Sequence, residues 1–425
     1  MVGTDRLRVA LLVYRGNPHS GGQGVYTRYL ARELVNLGHE VTVFAGQPYP
    51  VLDEGVGWVP VPSLDLYRPD NPFRIPHPRE FKTRYDLAEF GIMCTAGFPE
   101  PRTFSWRVRD ELAARRDQFD VVHDNQTFGT GLLGVMQDGL PLLGTCHHPI
   151  TVDRTLDLKH APTWRRRQQL RRWYGFLKMQ MKVARQVPRI LTVSSSSKRD
   201  IVDQYGIADE QLQVVPIGVD QDHFRPRPEI ARVPGRIMTT ASADVPFKGL
   251  LPLVEAVAKV RTERPDTHLV VVGKLNSKSP VAAAIDRLGV GDAVTFESGI
   301  SNERMIELYA QAEVAVVPSL YEGFSLPAVE SMACGVPLVA TTGGALPEVV
   351  GEDGVTGMLV TPGDPGELAG AIKTVLSEPE LAGRLRDNAR RRVLERFTWQ
   401  ACASATAEHY RWVIEEKKRR ESTAC

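Results

Sequence analysis

Short continuous apolar runs alternate along the chain with longer stretches whose apolar residues recur at helical spacing. The runs over 8–14, 41–45, 121–123, 142–145 and 190–193 predict strands, the last three buried. Residues 23–37 predict a helix, with Tyr26, Leu30, Leu34 and Leu37 on one stripe. Such alternation is the pattern of a parallel, doubly wound sheet. A Pro/Arg-rich segment over 224–234 reads as a linker, after which the rhythm restarts. Strands are expected over 236–240, 268–272, 294–296, 314–317 and 337–341, with helices between them. Two α/β domains of similar build therefore stand in tandem, with no short-period repeat. Helices over 379–395 and 398–416 close the chain, and the charged tail 415–421 reads as solvated. The stretch 46–104 holds ten prolines and little periodicity, and reads as an irregular insertion.

A length of 425 residues suits two domains better than one core. Hydrophobic residues make up 42% and charged residues 24%, an ordinary globular balance. The formal net charge of +1 argues against a nucleic-acid partner. The first apolar run is short and interrupted by Arg8, so it does not read as a secretion signal. No segment approaches the roughly 20 apolar residues that span a bilayer. The five cysteines, Cys94, Cys146, Cys334, Cys402 and Cys425, are far apart and include no CxxC, which speaks against a disulfide framework or zinc ribbon. The expected location is the cytoplasm, at most peripheral to the inner face of a membrane.

Four places carry candidate chemistry. The first is Ser20-Gly-Gly-Gln-Gly-Val25, between the first strand and first helix, where glycines permit close backbone approach and a helix N-terminus favours an anion. Thr27 stands where a dinucleotide fingerprint needs its third glycine, and Ala45-Gly46-Gln47 lacks the acidic residue such a site uses. The second is Pro318-Ser-Leu-Tyr-Glu322-Gly-Phe-Ser-Leu-Pro-Ala-Val-Glu330, a strand end, a turn and a helix start whose N–H groups suit a phosphate. Glu322 and Glu330 are good acceptors for sugar hydroxyls; the plainer reading is one surface and one helix-face glutamate. The third is the set His123, Asp124, His147 and His148. A metal reading of these residues is weaker than polar groups lining a cleft, and no Asp-x-Asp motif is present, so no metal is assigned. Asn125, Gln126 and His148 are read as acceptor-side groups. The fourth is the basic stretch 159–199, free of acidic residues, with Leu170, Trp173, Tyr174, Leu177, Met181 and Ala184 on one helical stripe. A surface helix packed on the core is preferred; contact of 163–187 with an anionic membrane is the second reading.

Within its glycine and proline frame, Pro318 through Gly344 resembles the hallmark segment of family 4 glycosyltransferases, a large retaining family with the GT-B fold. Other pieces fit in order: Gly21-Gly22, Leu30-Ala-Arg-Glu-Leu34, Leu37-Gly-His-Glu-Val41, Val215-Pro-Ile-Gly-Val-Asp220 before Phe224-Arg-Pro226, Lys248-Gly249, Thr342-Gly-Gly-Ala-Leu-Pro-Glu348 and Gly354-Val-Thr-Gly357. The resemblance spans nearly the whole chain and is strongest in the C-terminal domain. It implies two Rossmann-like, doubly wound parallel-sheet domains facing a central cleft. The acceptor-side domain would cover 1–228, joined by a C-terminal helix at about 398–417, and the nucleotide-sugar domain 229–397. By the same resemblance, Glu322 binds donor-sugar hydroxyls, and Gly323, Phe324, Ser325 and Leu326 meet the diphosphate with their backbone. Glu330 binds the ribose, Lys248 is the phosphate cation, His147 lies near the reacting sugar, and Gly22 approaches the phosphates from the other domain. One departure stands out: the family's Gly-Arg before Lys-Gly is absent from Thr239-Thr-Ala-Ser-Ala-Asp244-Val-Pro-Phe-Lys248, and Lys274 is the candidate replacement cation.

The implied activity is retaining transfer of a hexose-type sugar from a nucleotide-diphosphate donor, UDP-sugar first and GDP-sugar second. The acceptor hydroxyl would belong to a sugar, a lipid-linked or a small-molecule acceptor. The donor's own leaving phosphate would act as base, no metal or other cofactor is required, and a hinge at about 218–234 closes the cleft. A GT-B sugar-nucleotide epimerase, a non-catalytic nucleotide-sugar-binding protein and a dinucleotide-dependent oxidoreductase stay open as alternatives.

Overall fold

The apolar runs become strands of two all-parallel sheets. In the first, β1 (Arg8–Val13), β2 (Glu40–Ala45), β3 (Gly57–Pro60), β4 (Val121–Asn125), β5 (Leu142–Thr145), β6 (Arg189–Thr192) and β7 (Leu212–Val214) lie in the order β3-β2-β1-β4-β5-β6-β7. In the second, β8 (Arg236–Thr240), β9 (His268–Val272), β10 (Val294–Glu297), β11 (Val314–Val317), β12 (Leu338–Thr341) and β13 (Met358–Val360) lie in the order β10-β9-β8-β11-β12-β13. In register, Val9 stands opposite Val41 on one side and Val121 on the other, and Ile237 opposite Leu269 and Val314. Helices on both faces explain why the central strands are apolar throughout: Leu11, Leu12, Val122, Val271 and Val316 are buried. The computed structural model describes residues 6–17, 22–68, 70–241 and 245–424.

The chain divides into two units, Met1–Val193 with Ser197–Val215 and Trp399–Cys425, and Ser194–Ser196 with Pro216–Thr398. The 224–234 segment lies inside the second unit rather than between the two. Its carbonyls and side chains are tied down there: Arg390 Nη1 donates to Phe224 O at 3.0 Å and Arg232 Nη2 to Gly335 O at 2.8 Å. The last helix, Trp399–Ala424, belongs to the first unit. Trp399 stacks on Tyr29 at 5.3 Å, and Tyr410 reaches His123.

Two further sequence expectations need correction. The 46–104 stretch is more regular than its prolines suggest. It carries β3, a 3-10 turn at Pro78–Glu80, the helix Arg84–Cys94 and the start of the helix Glu100–Ala113. Helix Arg84–Cys94 hides from a hydrophobic pattern because the residues it buries are Asp86 and Glu89, held by Arg107 Nη2 at 2.7 and 2.6 Å. The basic stretch is not one helix but two, Trp164–Trp173 and Leu177–Ala184, separated by a 3-10 turn at Tyr174–Phe176. Leu170, Phe176, Leu177 and Val183 are buried while Trp164, Arg165, Arg166 and Arg167 are exposed. No helix among the described residues is long and apolar enough to cross a membrane.

Candidate functional site

In an open parallel sheet, ligands bind at the carboxyl ends of strands where the winding reverses. In the second sheet that point lies between β8 and β11. The loop after β8 carries Lys248, and the loop after β11 carries Glu322. Leu320 N–H donates to Phe247 O at 2.7 Å, lacing the two loops together. Gly249 is left-handed (φ +68°), and a Cβ there would stand 1.8 Å from the carbonyl oxygen of Pro318, so only glycine allows this approach. As a result Lys248 Nζ donates to Glu322 Oε1 at 2.7 Å, and Ser319 Oγ donates to the same oxygen at 2.7 Å. A third loop, after β12, backs the pair. A Cβ on Gly344 (φ +64°) would lie 2.2 Å from Glu322 O, and one on Gly343 would lie 2.7 Å from Ser319 O and Leu320 O. Ala345 N–H closes the support by donating to Glu322 O at 2.8 Å.

The helix Leu326–Ala333 starts directly after this turn. Its first-turn N–H groups have no acceptor within the helix, and Pro327 contributes none. The N-cap Ser325 has φ +87°, a conformation unusual outside glycine, and its buried Oγ has no hydrogen-bond partner. Strain, an unused hydroxyl and a helix N-terminus coincide here, which suits a bound anion. Glu330, one turn further on, lies 3.5 Å from the Tyr309 hydroxyl. It keeps an exposed edge, yet burial pushes its carboxyl up to about 7. Lys274 is exposed just beyond the end of β9, and no bond from it to the Lys248–Glu322 pair is formed.

In the first sheet the winding reverses between β1 and β4. Ser20 and Gly21 lie outside the described residues. Gly22 (φ +73°) is the N-cap of the helix Gln23–Asn36 and has open space where a Cβ would stand. The four-residue set at the ends of β4 and β5 is not arranged as metal ligands. His123 uses both ring nitrogens, Nδ1 with Tyr410 Oη at 2.8 Å and Nε2 with Thr145 Oγ1 at 2.7 Å. Burial pushes its imidazole down to about 3. Asp124 Oδ2 accepts from Thr127 N–H and Phe128 N–H at 3.0 and 2.9 Å, and burial raises its carboxyl to about 7. Among the described residues no cluster of three or more such side chains could hold a metal ion. His148 is exposed, 3.2 Å from Asp153 Oδ2. His147 is part-buried, with Nε2 2.8 Å from Asn125 Oδ1. Asn125 and Gln126, expected to face an acceptor, are buried and bonded to the protein: Gln126 Oε1 accepts from His147 N–H at 2.8 Å, and its Nε2 donates to His148 O at 3.0 Å.

Sequence reasoning did not single out Ser319 or Gly343 and Gly344 as the groups that seat Glu322. Their place inside the Pro318–Gly344 frame was the available signal. Two all-parallel α/β units, with a glycine-backed turn at a reversal of strand order in the second, have the build of a GT-B glycosyltransferase.

Comparison with known proteins agrees. Residues 20–223 match the model of Glycosyltransferase Family 4, and residues 227–392 match that of Glycosyl transferases group 1. The chain belongs to the family 4 glycosyltransferases and is a transferase enzyme. It is 54% identical over 409 residues to the MMP alpha-(1->4)-mannosyltransferase of Mycolicibacterium hassiacum, covering 96% of this chain and 98% of that one. It is 28% identical to a D-inositol 3-phosphate glycosyltransferase of Segniliparus rotundus, over 93% and 85% of the two chains. Among solved structures, sucrose-phosphate synthase from Thermosynechococcus elongatus aligns with a TM-score of 0.72 at 24% identity, over 97% of this chain and 100% of that one. Anabaena HepE in complex with UDP and glucose aligns at 0.65 and 17% identity, over 95% and 99%. These two structural likenesses bear on the fold alone.

Proposed function

We propose that this enzyme transfers an α-mannosyl residue from a nucleoside-diphosphate-mannose donor to a sugar hydroxyl, with retention at the anomeric carbon. The observation that carries the proposal is the Glu322 turn. A buried carboxylate fixed by Lys248 and Ser319 is an acceptor for hexose hydroxyls, one residue before the backbone of Gly323, Phe324, Ser325 and Leu326. The helix N-terminus and the two spare donors of Lys248 would stabilise the diphosphate as it leaves. Glu330 would accept from the ribose, and Lys274 would add a second phosphate cation. The first unit would present the accepting sugar, with Gly22 and His147 at its binding edge. The mannosyl assignment follows the 54% identical relative, whose name also gives an α-(1→4) linkage. No carboxylate of the Glu322 site is placed as a nucleophile separate from the sugar-binding role. A departing phosphate oxygen that takes the acceptor proton accounts for retention without one, and needs no metal.

The test is nucleoside-diphosphate release from GDP-, UDP- and ADP-mannose with a mannoside acceptor, wild type beside Glu322→Ala. Release from one donor, lost in the variant and giving an α-linked product, supports the proposal. Binding without release, or release of the C2 epimer, refutes it. Peripheral lipid contact would use the exposed Trp164 and Arg165, Arg166 and Arg167; sedimentation with anionic vesicles at low salt decides that point.

A further inference from the structure

The bonds around His147 fix more than its position. Asn125 Nδ2 lies 3.3 Å from the backbone carbonyl of Gln23 and 3.1 Å from Thr27 Oγ1. A carbonyl has no proton to give, so the amide nitrogen, not its oxygen, must face Gln23. Oδ1 is thereby turned to His147 Nε2, 2.8 Å away. An amide oxygen only accepts, so the imidazole proton sits on Nε2. Nδ1 keeps its lone pair and has no hydrogen-bond partner among the described residues.

The surroundings reinforce this state. The Tyr26 and His147 rings pack nearly perpendicular with centroids 4.7 Å apart, and Gln126 Oε1 holds the His147 backbone N–H. Directly after Asn125, the last residue of β4, the chain bends through left-handed residues at Gln126 (φ +59°) and Phe128 (φ +42°). That strain is held by Asp124 Oδ2 on two N–H groups and by Gln180 Nε2, which donates to Gln126 O and Thr127 O at 3.2 and 3.0 Å. Burial pushes the His147 imidazole down to about 3, and nearby His148 acts in the same direction. His123 is neutral between Tyr410 and Thr145, and among the described residues no carboxylate is bonded to the His147 ring.

We infer that Asn125 is a positioning residue: it fixes His147 as the Nε2–H tautomer, so that Nδ1 stands as an obligate acceptor for one sugar hydroxyl. The identity of that hydroxyl rests on the proposed transferase reading; the tautomer does not. An acceptor-only atom admits a hydroxyl and rejects a hydrogen or fluorine in its place.

The experiment is histidine-selective ¹⁵N NMR on the full chain, with steady-state kinetics on the same samples. The wild-type His147 should show the Nε2–H pattern and no titration between pH 5 and 8. Asn125→Asp sets a carboxylate against Nε2, which should raise the His147 pKa and give kcat a pH dependence absent in wild type. The loss should be roughly tenfold or more below the new pKa and should recover above it, a recovery that structural damage would not produce. Should that variant not fold, Thr27→Val removes only one restraint on Asn125 and should give a smaller kcat loss with the tautomer kept. A wild-type ring that is Nδ1–H, or that titrates near 6.5, overturns the inference. So does a normal kcat/KM in His147→Ala, in which case the transferase reading stands. If no donor is turned over, the transferase reading falls and takes the assigned hydroxyl with it, while the NMR still reads the tautomer.

Discussion

Gly344→Ala and Gly354→Ala form a matched pair that separates backbone strain from damage to the site. Both glycines are left-handed, with φ of +64° and +72°. Alanine at either position carries the same penalty of roughly 1–2 kcal/mol, worth about 2–4 °C in Tm per kcal/mol for a unit of this size. They differ in what the added methyl meets. At Gly354 nothing lies within 4 Å, while at Gly344 the new Cβ stands 2.2 Å from Glu322 O and 2.8 Å from Glu322 N. Ordinary contact needs a retreat of about 1 Å, which also strains the Ala345 N–H bond to Glu322 O. A misplacement of that size at a positioned group costs on the order of a hundredfold in rate. Thermal melting and nucleoside-diphosphate release should therefore show Gly354→Ala slightly less stable with near-normal kcat/KM. Gly344→Ala should be less stable still and about a hundredfold slower. Equal activities in the two variants would refute the claim that the glycine loop seats Glu322.

Three further outcomes are expected. Lys248→Met should cut kcat/KM for the donor by about a hundredfold, because it removes the proposed phosphate cation and leaves the Glu322 carboxylate with Ser319 alone; a loss under threefold would show that Lys248 does not meet the diphosphate. Tyr410→Phe keeps the ring but strips a buried His123 nitrogen of its partner, and should lower stability by about 1–3 kcal/mol; an unchanged melt would mean that bond contributes nothing. Glu330 has a folded pKa raised to about 7 from 4.5, so its contribution to stability is present below 4.5 and lost as pH rises through 7. Glu330→Gln should flatten that part of the wild-type profile of Tm against pH, and a profile of unchanged slope would count against the raised pKa.

The central strands were legible because burial on both faces demands unbroken apolar runs, as in β1, β5, β9 and β11. The edge strands β3, β7 and β13 were not. Gly57–Pro60 is largely exposed and needs no such run. Helix Arg84–Cys94 was hidden for the opposite reason, since an ion pair with Arg107 replaces the apolar face that periodicity detects. In the site, Glu322 and Lys248 stood out through their glycine and proline frame. What that frame does became visible only where a missing Cβ admits another loop's backbone, as at Gly249 and Gly344. Asn125 shows the limit most clearly. Its residue type suits an acceptor sugar, but the direction of its amide is set by Gln23 O, a carbonyl at the start of the helix Gln23–Asn36, distant in sequence.

The assignment of the last helix to the first unit has a consequence for biosynthesis. Residues 216–398 form an uninterrupted stretch of the second unit and are synthesised before the closing helix of the first. The first unit begins first yet needs Trp399–Cys425, and until Tyr410 arrives His123 Nδ1 lacks its hydrogen bond in the core. Sequence order and completion order are therefore reversed: the unit started first is completed last, and a chain cut after residue 398 carries every residue of the second unit beside a first unit that lacks its closing helix.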